Sequence, residues 1–360
     1  EMRQLLEEQY GDDQVQVWDW RYFDTLQRKT DYGVDPFEVA AYFPLDQVLA
    51  GMFDLVQSTF GLTFEERDAS DAWHPDVRLF AMKDTEMGEE LAHFYLDLFP
   101  REGKFSHAAE FPLILSRRLE DGSYQNPVCA MVANFTKPTK SSPSLLQHNE
   151  VETLFHEFGH VLHQNLGRTE LARFSGTSVE RDFVEAPSQI MQHWIWRSDV
   201  LKTFARHHET GEPIPDALVD KLVEARQLNI AVHQLRQLQF GWLDQEIHKP
   251  GDFKDLVKIL EDAAEISLFP HPEGTFSMSS FGHLMGGYDA AYYGYMWSEV
   301  YGDDMFSVFE EKGATNPEVG MAYRREVLEK GGTVDAKDML KNFLGREPNN
   351  KSFLNKLGIG

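Results

Sequence analysis

Five consecutive residues, His156-Glu157-Phe158-Gly159-His160, carry the strongest chemical signal in the chain. They lie within the apolar periodic run Leu154, Phe155, Phe158, Val161 and Leu162, which predicts a helix. Positions i and i+4 share a helix face, so both imidazoles can meet one metal ion. Glu157 is offset by about 100° and can reach a metal-bound water without itself being a ligand. That chemistry is hydrolysis by an activated water. Two partly buried histidines on an amphipathic helix would leave the same five letters, so the helix alone does not decide the matter.

A catalytic zinc site takes three protein ligands and keeps one position open, so a third donor must come from another segment. Glu185 is the best candidate, in Asp182-Phe183-Val184-Glu185-Ala186-Pro187, where Asp182 and Glu185 are three apart and share a helical face. An acidic first helical turn, favoured by the helix dipole, would read the same way. A hydrolase also needs donors for the oxyanion on the scissile carbonyl. The run from Phe281 to Tyr295 offers His283, Tyr288, Tyr292 and Tyr295 among four glycines, a backbone that can approach a peptide closely. On residue type alone these tyrosines read equally as core aromatics.

The segment from Phe155 through Trp196, FHEFGHVLHQNLGRTELARFSGTSVERDFVEAPSQIMQHWIW, resembles the thimet oligopeptidase and neurolysin family almost position by position. Further matches are Trp73 to Leu79, Tyr95 to Lys104 and Trp297 to Tyr301, so the resemblance covers essentially the whole chain. It implies a zincin-like HExxH metallopeptidase catalytic domain that holds one zinc ion on His156, His160 and Glu185, with Glu157 as general base. It also implies His283 and Tyr295 as transition-state stabilisers, and Tyr288, Tyr292 and Gly287 as parts of the substrate loop. Asp182, and after it Glu180, are candidate partners for the imidazole N–H of a ligating histidine. The strand from Ala130 to Thr136, with Ala133 and Asn134, matches the family's edge strand, which would hold an extended peptide by backbone pairing. The family's N-terminal part, about half of a full-length member, has no counterpart in these residues and is a candidate partner.

The elements that must position these residues follow from periodicity. Leu45, Val48, Leu49, Met52, Phe53, Leu55 and Val56 predict a helix around Pro44 to Leu62. Between about 76 and 136 the period changes to two, which predicts a small sheet of about four strands, with turns at Gly88 and Asp121-Gly122. Helical periodicity returns over Leu145 to Leu166, Phe183 to Trp196, Pro215 to His248, Phe253 to Ser267 and Tyr288 to Lys312. The expected class is mainly α with a small mixed β-sheet, one catalytic region over 1–360 with its zinc-site helices at about 145–196.

Composition narrows the partners. The chain has 360 residues and a net charge of −25, with the acids spread along its length, so phosphate backbones and anionic lipid are repelled. Neither nucleic acid nor membrane is expected as a partner. No run reaches the roughly 18 apolar residues of a membrane helix. Cys129 is the single cysteine, in an apolar run that predicts a buried thiol, and a reducing, cytoplasmic setting is expected. The expected function is a zinc metalloendopeptidase acting on short peptides. The alternatives are a peptidyl-dipeptidase, a peptide-binding fragment without turnover, and a metal that only ties two helices together.

Overall fold

The computed structural model describes residues 2–11, 14–251 and 253–359. The chain is mostly helical with a small mixed sheet, and it divides into two compact units. The larger comprises Pro36–Val219 and Ser298–Phe353; the smaller comprises Glu1–Asp35, Asp220–Trp297 and Leu354–Gly360.

In the larger unit the helix Leu45–Phe60 buries Val48, Leu49, Met52, Leu55, Val56 and Phe60. It stops at Gly61, whose φ of 64° is left-handed and whose N–H caps Gln57. The chain then turns straight into a strand. Seven strands follow in order: β1 Leu62–Arg67, β2 Arg78–Asp84, β3 Glu90–Asp97, β4 Ala109–Ile114, β5 Arg117–Arg118, β6 Tyr124–Gln125 and β7 Val128–Val132. β5 and β6 form a short hairpin around Asp121-Gly122, and the other five make one sheet in the order β1-β2-β3-β7-β4. The β3–β7 pair is parallel and the remaining pairs are antiparallel.

The sheet has five strands, because Leu62 and Phe64 alternate with polar residues after the Gly61 stop, where the helix was expected to run on to Leu62. The stretch Ala130 to Thr136 is not an edge strand. β7 ends at Val132 and lies between β3 and β4, paired on both sides. Its unbroken apolar run, Val-Cys-Ala-Met-Val, is what burial on both faces selects. The open edge belongs to β4, which carries Pro112, a residue that cannot donate to a ladder.

The helix His148–Leu166 packs across β3, β7 and β4. Its N-terminus is closed by a capping box in which Gln147 and Glu150 satisfy each other's backbone N–H groups. Phe158 projects into an aromatic cluster with Phe53, Phe64 and Phe94, which fixes the helix against the sheet. At the end of β3, Asp97 is buried and accepts from Trp73, Arg101 and Lys104. Burial raises its carboxyl, yet these donors outweigh burial and hold it at about 2. Lys104 also donates to the carbonyl of Ala133, tying down the segment that follows β7.

The described residues of the smaller unit include two apolar clusters. One joins Leu6, Val15, Phe23 and Phe269. The other joins Leu243, Leu260 and Ala263, where the helices Ile230–His248 and Leu256–Ser267 pack together. The expected Pro215–His248 helix is broken at Ala225–Gln227 and at Asn229, which is left-handed with φ 56°. The expected helix from Tyr288 begins only at Gly294.

Candidate active site

The pattern His156-Glu157-x-x-His160 falls in the middle of the helix His148–Leu166, and its two imidazoles point to one carboxylate. Glu185 Oε2 lies 3.2 Å from His156 Nε2 and 3.1 Å from His160 Nε2. The three ligand atoms lie within 4.8 Å of one another, and these residues form the one such three-residue group of histidine, cysteine or acid among those described. Two imidazole nitrogens and one carboxylate oxygen within reach of a single ion are the donor set of a catalytic zinc centre. The residues present therefore fit a divalent ion of zinc's chemistry.

Glu185 arrives by a different route from the one its spacing suggested. It is the residue preceding the helix Ala186–Gln192, and it is 3% exposed. Ser188 Oγ donates to its carboxylate at 3.0 Å and to its carbonyl at 2.8 Å, which orients the side chain. Burial raises the Glu185 carboxyl, but the adjoining His160 and His156 outweigh it and hold the group well below the usual carboxylate range. Burial likewise depresses the His160 imidazole, and the Glu185 carboxylate reverses this and pushes it up to about 9. The neighbouring His163 has no such partner. Burial and then the charge of His160 lower it to about 3, so it stays neutral outside the ligand group.

Sequence reading missed Gly159, taken only as an unspecified position of the motif. A Cβ there would stand 2.5 Å from Pro187 O and 2.6 Å from Ser188 Cα, so glycine is what lets the helix Ala186–Gln192 bring Glu185 to the histidines. A small residue facing a Pro-Ser helix start was the available signal. Glu110, on the open edge strand β4, was also missed. Its carboxyl is raised to about 8 by burial, opposed by His160 and a hydrogen bond with Cys129, and raised further by Glu157. Cys129 itself is fully buried and its thiol is pushed up by burial, as a structural rather than reactive cysteine would be.

Glu157 is 7% exposed, on the same helix as the two histidines. Asp182 is half-buried, and its carbonyl accepts from Ser298 Oγ at 2.8 Å, while Glu180 is exposed. Ala133 is fully buried with its N–H donated to Asp97 O, and the Asn134 amide donates to the carbonyls of Phe105 and His107. Both are thus engaged within their own unit.

In the smaller unit the 3-10 turn Gly282–Met285 carries His283. The ring of His283 meets Tyr288 at 5.8 Å, Tyr292 at 5.4 Å and Tyr295 at 5.7 Å, and Tyr288 stacks on Tyr295 at 4.8 Å. Gly287, at φ 88°, turns the chain so that the Tyr288 N–H returns to His283 O. The four residues picked from sequence therefore form one aromatic cluster of polar tips. Among the described residues no helix is long and apolar enough to cross a membrane.

The chain is 42% identical to "Thimet-like oligopeptidase" of Dictyostelium discoideum, covering 97% of this chain and 53% of that protein. It is 40% identical to "Saccharolysin" of Saccharomyces cerevisiae, over 98% of this chain and 51% of that one. It is also 40% identical to "Oligopeptidase A" of Escherichia coli, over 100% and 54%. The chain thus spans about half the length of the curated relatives it matches. Among solved structures, the M32 carboxypeptidase from Deinococcus radiodurans R1 matches with a TM-score of 0.52 at 14% identity, over 99% of this chain and 68% of that one, a likeness of fold alone. The sequence model of peptidase family M3 matches residues 1–359, and the chain belongs to that family.

Proposed function

We propose that this chain is the catalytic region, zincin-like in its HExxH helix, of a zinc metalloendopeptidase that hydrolyses short peptides. The observation that carries the reading is the convergence of His156, His160 and Glu185 with Glu157 on the same helix. Family membership and the oligopeptidase names of the relatives support peptide as the substrate class.

When bound, a zinc ion supplies Lewis acidity toward the peptide carbonyl and acidifies water toward a pKa of about 7. His156, His160 and Glu185 would hold it. Glu157 takes the proton of the attacking water and delivers it to the leaving amine. His283 and Tyr295 donate to the tetrahedral oxyanion, and Tyr288, Tyr292 and Gly287 line the substrate. Asp182, and after it Glu180, are the candidate partners for the second imidazole N–H of a ligating histidine. Peptide pairing falls to the outer edge of β4, because β7 is already paired on both sides and the backbone N–H and carbonyl of Ala133 are taken by Asp97 and Lys104.

The test is cleavage of a quenched fluorescent nonapeptide, free and C-terminally amidated, with metal content measured before and after chelation and zinc return. Chelator-sensitive, zinc-restored cleavage of both peptides is expected. Loss of cleavage on amidation would make the enzyme a peptidyl-dipeptidase, and full zinc occupancy without cleavage would overturn the reading that these residues suffice.

A further inference from the structure

The loop that carries the tyrosine cluster contains a backbone feature that the proposed chemistry does not use. Ala290 has φ 56°, one of three non-glycine residues with positive φ among those described. Alanine has no polar side chain to compensate for that left-handed conformation, so something around it must hold it there.

The helix Ile230–His248 supplies the hold. Asp244 on that helix is fully buried, and its two carboxylate oxygens each take one backbone N–H of the turn. Oδ1 accepts from Ala290 at 2.9 Å and Oδ2 accepts from Tyr292 at 2.9 Å. The neighbouring Gln245 donates its side-chain amide to Ala290 O at 2.9 Å, so both backbone groups of Ala290 are gripped by successive helix residues. Two turns back, Gln237 accepts from the Tyr292 hydroxyl at 3.1 Å. Asp244 Oδ1 also pairs with His248 Nδ1, 3.0 Å away, and that ring nitrogen lies 2.8 Å from Asp244 O. The two amides of this turn form an anion site, and the buried Asp244 carboxylate is the anion that fills it.

We infer that Asp244 is a positioning residue: its carboxylate locks the Ala290–Tyr292 turn in its left-handed form and thereby sets His283, Tyr288, Tyr292 and Tyr295 in the arrangement that meets substrate. This rests on the substrate role given to those four residues above. The carboxylate matters as such, since asparagine keeps one acceptor and sets an NH₂ against a backbone N–H at the other position. Glycine at 290 would reach the same backbone conformation without the strain.

The experiment compares zinc-loaded wild type with D244N, A290G and D244N/A290G in the full chain. Amide hydrogen exchange over residues 286–294 reads the turn directly, and kcat and KM on the fluorescent peptide read its consequence. For D244N we expect exchange in that segment to speed up at least about tenfold and kcat to fall by about tenfold or more. Zinc content and exchange in the helix His148–Leu166 should not change, and A290G should restore a substantial part of both losses. Unchanged exchange at 286–294 in D244N, or loosened exchange that A290G does not restore at all, would overturn the inference. Should D244N fail to fold, Q245A removes only the grip on the Ala290 carbonyl and is read by the same two measurements. Faster exchange in D244N together with a zinc-loaded wild type that cleaves nothing would sink the catalytic reading while upholding the hold on the turn.

Discussion

His156, His160 and Glu185 are borne by a helix of 19 residues and by the buried start of a second helix, whereas His283 and Tyr288 ride on a 3-10 turn and the loop after it. The first region is ionised and dense, with Glu185 3% exposed and a glycine shaved to admit a neighbouring backbone. The second is built of stacked and edge-on rings on a segment where Gly282 has open space around it and Met285 is 92% exposed. Rigid elements suit a donor set that must keep its geometry to a fraction of an ångström, and turns suit groups that close on a substrate. On the proposed function, damage to the three ligands or their packing should act through metal and stability, and damage to the second region through turnover alone.

The largest effect expected is that of Glu157→Gln. Turnover should fall by about 10²–10⁴-fold, the usual share of a general base, while zinc content stays at one ion per chain. Retained activity in the metal-replete variant would remove Glu157 from the mechanism. Tyr295→Phe should lower kcat by about a hundredfold, as loss of one oxyanion donor does, with KM and zinc affinity little altered. A Tyr295→Phe enzyme that lost zinc would break the division between the regions.

The same contrast governs what the sequence could disclose. His156, Glu157 and His160 were legible because a helix places i and i+4 side by side, so their geometry is local. Glu185, 25 residues beyond His160, was a candidate by its spacing from Asp182 and a ligand by resemblance to a family, but the means of bringing it there, Gly159 against Pro187 and Ser188, is a tertiary contact that no periodicity encodes. Helix and sheet content was likewise legible. The order of strands was not: β7 reads as a strand from its residues, and only the fold shows β4 outside it, so that β7 is paired on both sides. The fifth strand was missed for a local reason, because Gly61 was not taken as the stop of its helix.

A pair of alanines sharpens the comparison at the level of stability. Gly159→Ala puts a methyl into the 2.5 Å approach of Pro187 O, so overpacking of about 1–3 kcal/mol is expected, with a loss of zinc affinity as Glu185 shifts. Gly282→Ala adds its methyl where nothing lies within 4 Å, and a change within about 0.5 kcal/mol is expected. Urea midpoints and zinc titrations of both variants measure this; equal destabilisation would mean that the two regions are packed alike.

The gentlest probe is proton competition at the metal triad. In the metal-free chain His160 is held protonated to about pH 9 by Glu185 against the opposing effect of burial, and zinc needs the neutral imidazole. Binding must therefore expel a proton, and affinity should climb by about tenfold per pH unit from near pH 7 and level off towards pH 9. The folded metal-free chain has the reverse preference. Its His160 binds its proton more tightly than an unfolded histidine at about 6.5, so this contribution to stability is complete below that value and is lost as pH rises through about 9. Raising the pH should thus weaken the apo fold while strengthening its grip on zinc, and removing the carboxylate with Glu185→Gln should flatten both trends. Zinc titrations in two buffers of different ionisation heat count the proton directly; a release of none at pH 7.5 would show that His160 is already neutral beside Glu185.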